Sequence, residues 1–416
     1  MTTLAEPVAP ARSRRLRLPY ALLLVAGGLV VLAVVRVVTG ADDLTSRGTT
    51  REALQWAVPI GLAGLGGLWS ERAGVVNIGL EGMMILGSWF GAYAGVQYGP
   101  WTGVVAGIAG GALGGLLHAL ATVTFGVDHI VSGVAVTILG AGIARYLSGL
   151  TFAHMAGGGP TQSPTIADIG TITVPGLSTA MTAVEEKRWF LVSDLAGILA
   201  GVTTGLSLLT VVAVMLVPVT YYVLWRTSFG LRLRSAGEAP VAADSLGVDV
   251  YLYKYLAVIV SGGLAGLGGV YLAEVSSSIY REGQTNGRGY IGLATMIFGN
   301  WRPGGLAAGA GLFGFTDALQ QRPSGGESVH ALLLFVAVVV AAVAAWHLYR
   351  RRWVSGAVTA TVSAALLTWF ALQPRVPDEF VRFMPHLTTL LVLALAAQRL
   401  RMPAADGLRY RRGQGS

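Results

Sequence analysis

The sequence contains no cysteine. Disulfide bonds, thiolate nucleophiles and cysteine-based metal sites are therefore excluded. The six histidines show neither HExxH nor another metal-ligand spacing, and no stretch fits the ATP-binding pattern GxxxxGK[ST]. A GxSxG nucleophile elbow is also absent. We therefore expect no catalytic residue, no metal and no cofactor in this chain, and a membrane-embedded enzyme is disfavoured.

Charge is scarce as well. Only 12% of the 416 residues are charged, about half the usual share in soluble domains, whereas 53% are hydrophobic and 58 are glycine. This composition predicts a protein embedded in the lipid bilayer. The formal net charge of +8 does not indicate nucleic-acid binding, because the arginines form short clusters between apolar runs. That arrangement is typical of the positive-inside rule of membrane proteins.

Long apolar runs predict the fold. About twenty apolar residues cross a bilayer as a helix, so we predict an all-α, polytopic transmembrane helical bundle of about 12 spans. The run at 290–300 is short and the segment at 71–81 is interrupted, which indicates broken or partial helices. The predicted spans lie near 19–39, 53–70, 77–96, 101–125, 130–151, 195–225, 254–275, 290–300, 304–320, 330–349, 355–372 and 383–399.

The arginine clusters predict the topology. The first apolar run is too long for a signal peptide, so we interpret it as an uncleaved span that follows a basic cytoplasmic N-terminus, 1–18. A transmembrane domain of 19–400 and a cytoplasmic tail, 401–416, complete the chain. The strong arginine clusters then share one side of the membrane, and the polar loop 152–194 falls on the extracytoplasmic side. That loop is either a plain connector or a docking surface for an external partner.

Glycine also shows a pattern. Gly103, Gly107, Gly111 and Gly115 are spaced by four residues, so they line one helix face and permit close helix packing. The glycines of SGGLAGLGG at 261–269 have the same structural interpretation. A dinucleotide-binding loop is excluded there, because no strand precedes it and no acidic partner for the ribose follows.

The stretch ERAGVVNIGLEGMM at 71–84 places Asn77 and Glu81 four residues apart in apolar surroundings. Asn77 could cap the following helix, but that does not explain Glu81, since an ionisable group in a membrane helix should face a cavity or a partner. Arg145 either extends to the membrane surface or pairs with Glu81. For His118 and Asp317 we expect helix-packing hydrogen bonds.

Several segments resemble one family. SERAGVVNIGLEGMMILGSWFGAY is similar to the signature segment of permease subunits of bacterial ABC importers for nucleosides, within the wider family of ribose and branched-chain amino-acid permeases. The segments 129–147, 231–250 and 287–315 agree with it, and the resemblance covers most of 50–320 and 380–413. The chain departs from the family at Thr137, where an asparagine is expected, and in the run QTN at 284–286. It also has an extra helical hairpin at 329–372, added to a ten-span permease core.

The resemblance implies a transport function. The chain would translocate nucleosides across the bacterial cytoplasmic membrane, with both termini in the cytoplasm. Its expected partners are an ABC ATPase subunit that uses the ATP, a second, diverged permease subunit forming a heterodimer, and an extracytoplasmic substrate-binding protein. Two alternatives stay open, namely the same machine importing simple sugars such as ribose, and an ion-coupled secondary transporter. Against the latter stand a coupling-like loop and the lack of an obvious pair of buried carboxylates.

The loop 229–250 is the predicted contact with the ATPase. Pro240 suits the first turn of a short helix and Gly247 suits its end. A plain surface connector is the alternative; with the resemblance we favour a coupling helix running from Glu238 to Gly247. Three of its residues would pack into a groove of the ATPase: Ala242, Ala243 and Leu246. Glu238 and Asp244 would pair with basic groups of that subunit.

We predict a substrate path on the remaining polar positions: Asn77, Glu81, Ser132, Thr137, Asn286 and Arg288. In one interpretation Asn77 and Glu81 offer hydrogen bonds to a hydroxylated substrate. In the other they hold a broken helix in place, with Glu81 accepting backbone N–H groups.

Overall fold

The computed structural model describes residues 18–413 except 323, 378, 382, 385–386 and 389–399. Most of these residues are helical. The helices are α1 (Leu18–Thr39), α2 (Arg47–Arg72), α3 (Leu80–Tyr98), α4 (Pro100–Ala119), α5 (His129–Leu150), α6 (Leu177–Glu185), α7 (Val192–Gly201), α8 (Leu208–Arg226), α9 (Ser228–Glu238), α10 (Pro240–Ser245), α11 (Val250–Tyr271), α12 (Arg288–Phe298), α13 (Pro303–Gln320), α14 (Gly325–Tyr349) and α15 (Trp353–Leu372). Single π-helical turns extend α4 and α11 to Thr124 and Ser276.

Six helices among the described residues are long and apolar enough to cross a membrane, which makes the chain a polytopic helical membrane protein. The exact count of 12 spans is not confirmed, and most of the predicted span 383–399 lies outside the described residues. The six are Pro100–Thr124, His129–His154, Leu208–Arg226, Val250–Ser276, Gly325–Tyr349 and Trp353–Leu372.

The two predicted helix interruptions are present. Helix α2 ends at Arg72 and α3 begins at Leu80, so the segment 73–79 separates them. Helix α12 has only 11 residues, about half the length needed to cross a bilayer. Both breaks contain glycine in the left-handed region, at Gly74 and Gly287, where other residues are strained.

The predicted single span 195–225 is wrong. The structure divides it into α7 and α8, with strand β2 (Leu206–Ser207) between them. This strand pairs antiparallel with β1 (Thr171–Ile172), which lies in the loop 152–194. Gly205 has a φ of +58° and its N–H donates to the Thr173 hydroxyl, so the chain turns here instead of continuing as a helix. In the part of the chain that the structure describes, these two short strands depart from the predicted all-α fold.

The core is built on α11, which packs against α2, α3 and α4. A Cβ added at Gly111 of α4 would lie 2.3 Å from the Gly262 carbonyl oxygen of α11, and one at Gly87 of α3 would lie 2.3 Å from the Gly266 oxygen. The helices therefore approach backbone to backbone, which confirms the close packing that the glycine spacing predicts. Helices α14 and α15 pack mainly on each other at the periphery.

Charged groups lie at the two ends of the bundle. At one end Arg322 forms ion pairs with Asp43 (3.1 Å) and Glu52 (2.9 Å); we name it the Arg322 end. At the opposite end of α2 lie α9, α10 and the tail 400–413, where Arg412 and Asp244 pair at 3.1 Å. We name this the Arg412 end.

Candidate functional site

Glu81 joins the two interrupted helices. Its carboxylate accepts the N–H of Gly287 at 2.9 Å through Oε1 and the N–H of Gly289 at 2.7 Å through Oε2. These N–H groups belong to the first turn of α12, where they have no partner within the helix and where the helix dipole favours a negative charge. The Glu81 carboxylate, 6% exposed, therefore caps α12 from the first turn of α3.

The segment 73–79 is fixed by a second set of polar contacts. Asn77 is fully buried; its Nδ2 donates to the Ser261 hydroxyl of α11 at 2.9 Å and its Oδ1 accepts the N–H of Gly79 at 3.1 Å. His118 of α4 bonds both the Ser132 hydroxyl of α5 (2.9 Å) and the Val76 carbonyl (3.0 Å). Helices α4, α5 and α11 therefore hold this segment between them.

Arg288 forms the third polar group, beside the Glu81 cap. Its guanidinium pairs with Asp317 of α13 at 3.1 Å and lies over the Trp56 ring of α2, 4.7 Å from the ring centroid. Arg145 does not pair with Glu81: its side chain is 76% exposed and lies 3.7 Å from Glu282. The alternative of an Arg145–Glu81 pair is thus wrong, because Glu81 is already bonded to α12.

The structure brings some of the predicted path residues together and separates others. Glu81, Asn286 and Arg288 meet at the start of α12, whereas Asn77 and Ser132 belong to the contacts around 73–79. Thr137 donates within its own helix to the Gly133 carbonyl at 3.1 Å. Asn286 stands just before the helix with a φ of +44°.

The predicted coupling helix is shorter than expected. Glu238 is the last residue of α9, the chain turns at Ala239, and α10 begins with Pro240 and ends at Ser245. Gly247, with a φ of +82°, follows it as predicted for a helix end. Ala243 is buried against Ala236 and Val250 of its own chain, so it cannot insert into an ATPase groove, which corrects that expectation. The outward side presents Val241 and Ala242 of α10 and Leu246 just after it, which is 85% exposed.

The tail 400–413 covers the inner side of this loop. The N–H of Ala405 donates to the Gly237 carbonyl at 2.9 Å, and that of Ala404 to Glu238 at 3.1 Å. Asp244 pairs with Arg412 and Glu238 faces Arg72 at 3.7 Å, so both predicted ATPase contacts have partners within the chain. The Arg412 guanidinium lowers the pKa of Asp244.

Asp406 lies in the same tail and is 7% exposed. Burial raises its pKa to about 7, against the smaller opposing effects of Glu71 and Lys254. Asp406 and Glu71 therefore form a buried pair of carboxyl groups. The sequence did not suggest this pair, because its arginines indicate a basic, solvated tail. Glu274 was also missed: it is buried beside Gly95 and Gly103, and neither carboxylate oxygen has a hydrogen-bond partner among the described residues. An acidic residue inside a predicted span was the available signal.

Known proteins resemble this chain over most of its length. A guanosine ABC transporter permease protein of Bacillus subtilis is 34% identical over 64% of this chain and 79% of its own length. A nucleoside ABC transporter permease protein of Lactococcus lactis is 33% identical over 86% of this chain and 94% of its own. A Haloferax volcanii protein, provisionally named a glucose ABC transporter permease protein, is 36% identical over 66% and 77%. No solved structure matches the chain.

The family comparison covers the site except the tail 400–413. The model for permease components of branched-chain amino acid transport systems matches residues 50–343, which include the Glu81 cap, the segment 73–79, Arg288 and α10. Members of this family are transport subunits rather than enzymes. The chain is therefore a multi-pass membrane protein that belongs to the family of permease components of branched-chain amino acid transport systems.

Proposed function

We propose that this chain is one permease subunit of an ATP-driven, binding-protein-dependent importer that carries nucleosides across the cytoplasmic membrane. The observation that carries the proposal is the match to two relatives named for guanosine and nucleosides, which covers 79% and 94% of their lengths. Membership of the family implies an ATPase and a substrate-binding protein as partners. We further propose that a second, diverged permease subunit completes a heterodimer. ATP is then the cofactor of the ATPase and not of this chain.

The proposed topology places the Arg412 end in the cytoplasm. The arginines at 350–352 and those of the tail flank that end, which is the distribution that the positive-inside rule requires. Both termini are then cytoplasmic, the loop 152–194 is extracytoplasmic, and 12 spans fit within 19–400. The hairpin α14–α15 adds two of these spans, so it leaves the sidedness of the ten-span core unchanged.

Helix α10 is the proposed coupling helix. Val241 and Ala242 of the helix and Leu246 directly after it are exposed, while Ala243 and the tail anchor the opposite side. An exposed leucine on a short, anchored helix suits insertion into a groove of a partner protein. The ATPase would push on this helix, and the contacts of Gly237 and Glu238 with the tail would carry the displacement into the chain.

The broken helices are the proposed moving parts of the path. Half-helices that end inside the membrane are a known way to build transport sites. Glu81 locks α12 to α3, which supports the structural interpretation of this carboxylate. Arg288, Asn286 and Thr137, together with Asn77 and Ser132, are proposed to line or support the path through which the substrate leaves the binding protein.

Simple sugars are the second candidate cargo, favoured by the likeness to the Haloferax volcanii protein. An ion-coupled secondary transporter ranks lower, although the buried pair Glu71–Asp406 removes one argument against it. Uptake in energised vesicles that lack ATP distinguishes an ATP-driven importer from an ion-coupled transporter, since only the ion-coupled transporter would keep working there.

The deciding experiment measures ATP-dependent uptake of labelled uridine, adenosine and ribose in the native cell, with and without this chain. We expect deletion to abolish uptake of a nucleoside and to leave ribose uptake unchanged. Loss of ribose uptake alone would overturn the nucleoside cargo while keeping the importer. Unchanged uptake of uridine and adenosine would contradict the nucleoside proposal.

A further inference from the structure

A polar cavity of about 600 Å³ opens at the Arg322 end. It lies between the turn 42–45, the second and third turns of α2 and the connection from α13 to α14. Small-molecule sites in proteins are usually concave and have about 300–1,000 Å³, so this cavity is large enough for a nucleoside. None of its lining residues belongs to the path that the sequence predicts.

The cavity combines one aromatic wall with several polar groups. The Trp56 indole provides an apolar surface on which a flat ring can stack. Glu52 and Asp43 provide carboxylate oxygens, and Gln55 an amide, for hydroxyl and N–H donors. A heterocyclic base attached to a hydroxylated sugar matches both kinds of surface.

The charges select an uncharged ligand. Arg322 is already bonded to both carboxylates, at 2.9 and 3.2 Å to Glu52 and 3.1 Å to Asp43. A phosphate would have to compete with these two carboxylates for the guanidinium and would be repelled by them. The arrangement therefore disfavours a nucleotide. The second oxygen of Asp43 accepts from the Ser324 hydroxyl, so each carboxylate oxygen already has one partner and keeps one further lone pair for an uncharged nucleoside.

The same tryptophan connects the cavity to the capped start of α12. Trp56 lines the cavity and contacts the Arg288 guanidinium, which pairs with Asp317. Arg288 follows Gly287, whose N–H donates to Glu81. A ligand leaving the cavity past Trp56 would thus reach the interrupted helices directly.

We infer that this cavity is an entry subsite for an uncharged nucleoside, in which the base stacks on Trp56 and the ribose hydroxyls bond the carboxylates of Glu52 and Asp43. The inference rests on the proposed nucleoside importer and adds the place where the chain first receives its cargo. The alternative role of these residues is purely structural, since Arg322 also ties the turn 42–45 to α2.

The absence of cysteine makes a direct test possible, because a single introduced thiol can be labelled without removing native ones. Gln321→Cys places a thiol at the rim of the cavity, and Gln373→Cys places one at an exposed position just after α15 as the control. The assembled importer, in cells supplied with its binding protein, is treated with a water-soluble maleimide, with and without uridine, adenosine, uridine monophosphate or ribose. Labelling is then read on this chain.

We expect a nucleoside to slow the labelling of the Gln321→Cys chain by about tenfold, because pockets of this kind cover most of a bound ligand and so shield their rim. The Gln373→Cys chain should label equally with and without ligand. Trp56→Leu in the Gln321→Cys background should remove the protection and Trp56→Phe should keep it, while Trp346→Leu, on the 51% exposed tryptophan of α14, should change nothing.

The inference is overturned if no nucleoside protects the rim thiol of the Gln321→Cys chain, or if the control thiol of the Gln373→Cys chain is protected equally. It is also overturned if ribose or the monophosphate protects as well as the nucleoside, or if Trp56→Leu keeps full protection in chains of normal abundance. Nucleoside uptake by the Gln321→Cys chain is measured in the same cells. Normal uptake without protection would reject the subsite and leave the proposed function standing, whereas uptake that does not depend on the chain would reject the proposed function itself.

Discussion

Glu81 of α3 accepts the N–H of Gly289 at 2.7 Å, and the two residues lie so close that a Cβ on Gly289 would meet the Glu81 Cα at 2.6 Å. The carboxylate thus accepts hydrogen bonds that the carbonyl groups of a preceding helical turn would otherwise accept. A helix that begins inside the membrane region has no water to satisfy its first N–H groups, so it needs such an acceptor. Two sequence features that are distant along the chain, Glu81 in a glycine-rich stretch and Gly289 at the start of α12, therefore form one contact.

Replacing Glu81 tests this contact. Glu81→Ala leaves the buried N–H of Gly289 without an acceptor, which costs about 1–3 kcal/mol, and also removes the acceptor of the partly buried Gly287 N–H. We expect the amount of folded chain in the membrane to fall strongly, as measured by quantitative immunoblotting and by thermal unfolding in detergent. Glu81→Gln keeps one carbonyl oxygen as an acceptor and should be intermediate. Normal abundance of both variants with lost uptake would instead support a role in the substrate path.

The sequence predicted the local breaks well. Asn77 and Glu81 stand out because they are polar in apolar surroundings, and Pro240 and Gly247 bracket α10 by their own backbone preferences. Such signals depend only on neighbouring residues. They were therefore visible without knowledge of the fold.

Contacts between distant segments were not predictable. The break between α7 and α8 depends on the pairing of β2 with β1, more than thirty residues earlier, whereas the apolar composition continues across it. Asp406 is buried only because the tail folds back over α9 and α2, and Arg288 stacks on Trp56 only because α12 packs on α2. A one-dimensional pattern contains no information on these distances.

The glycine packing of α4 on α11 gives a second prediction. A Cβ at Gly111 would lie 2.3 Å from the Gly262 carbonyl oxygen, and neither backbone can move alone. Gly111→Ala should therefore destabilise the chain by about 1–3 kcal/mol, as overpacking usually does. Thermal unfolding of the purified importer measures the effect.

Gly311 of α13 provides the matched control, since a Cβ there meets nothing within 4 Å. Gly311→Ala should be neutral or should stabilise by up to about 1 kcal/mol, because alanine is the better helix former. Equal effects of the two variants would show that helix propensity, and not close packing, explains the Gly111 result.

Leu246 tests the proposed coupling helix. The side chain is 85% exposed and follows α10 directly, so an aspartate in its place disturbs no packing within the chain. We expect Leu246→Asp to lower ATP-dependent uptake by about tenfold or more, as the loss of an apolar anchor at an interface does, with unchanged abundance in the membrane. Leu177→Asp on α6, also exposed, should leave uptake intact. Full activity of Leu246→Asp would reject α10 as the ATPase contact.

The docking of the tail should depend on pH through Asp406. Its pKa is raised by burial to about 7 in the folded chain from an ordinary value of 3.8, so the docked tail favours the protonated acid. The stability that this proton provides is fully present below about pH 4 and is lost as the pH rises through about 7. Three side chains face Asp406, namely Glu71, Arg72 and Lys254. The two cations and the Gly407 N–H favour the charged form of Asp406 and so lower its pKa, but burial has the larger effect.

We therefore expect hydrogen exchange in 400–413 to be faster at pH 8 than at pH 5.5, after correction for the intrinsic exchange rate. Asp406→Asn should reduce this difference, and an unchanged difference in that variant would assign the pH dependence to another group.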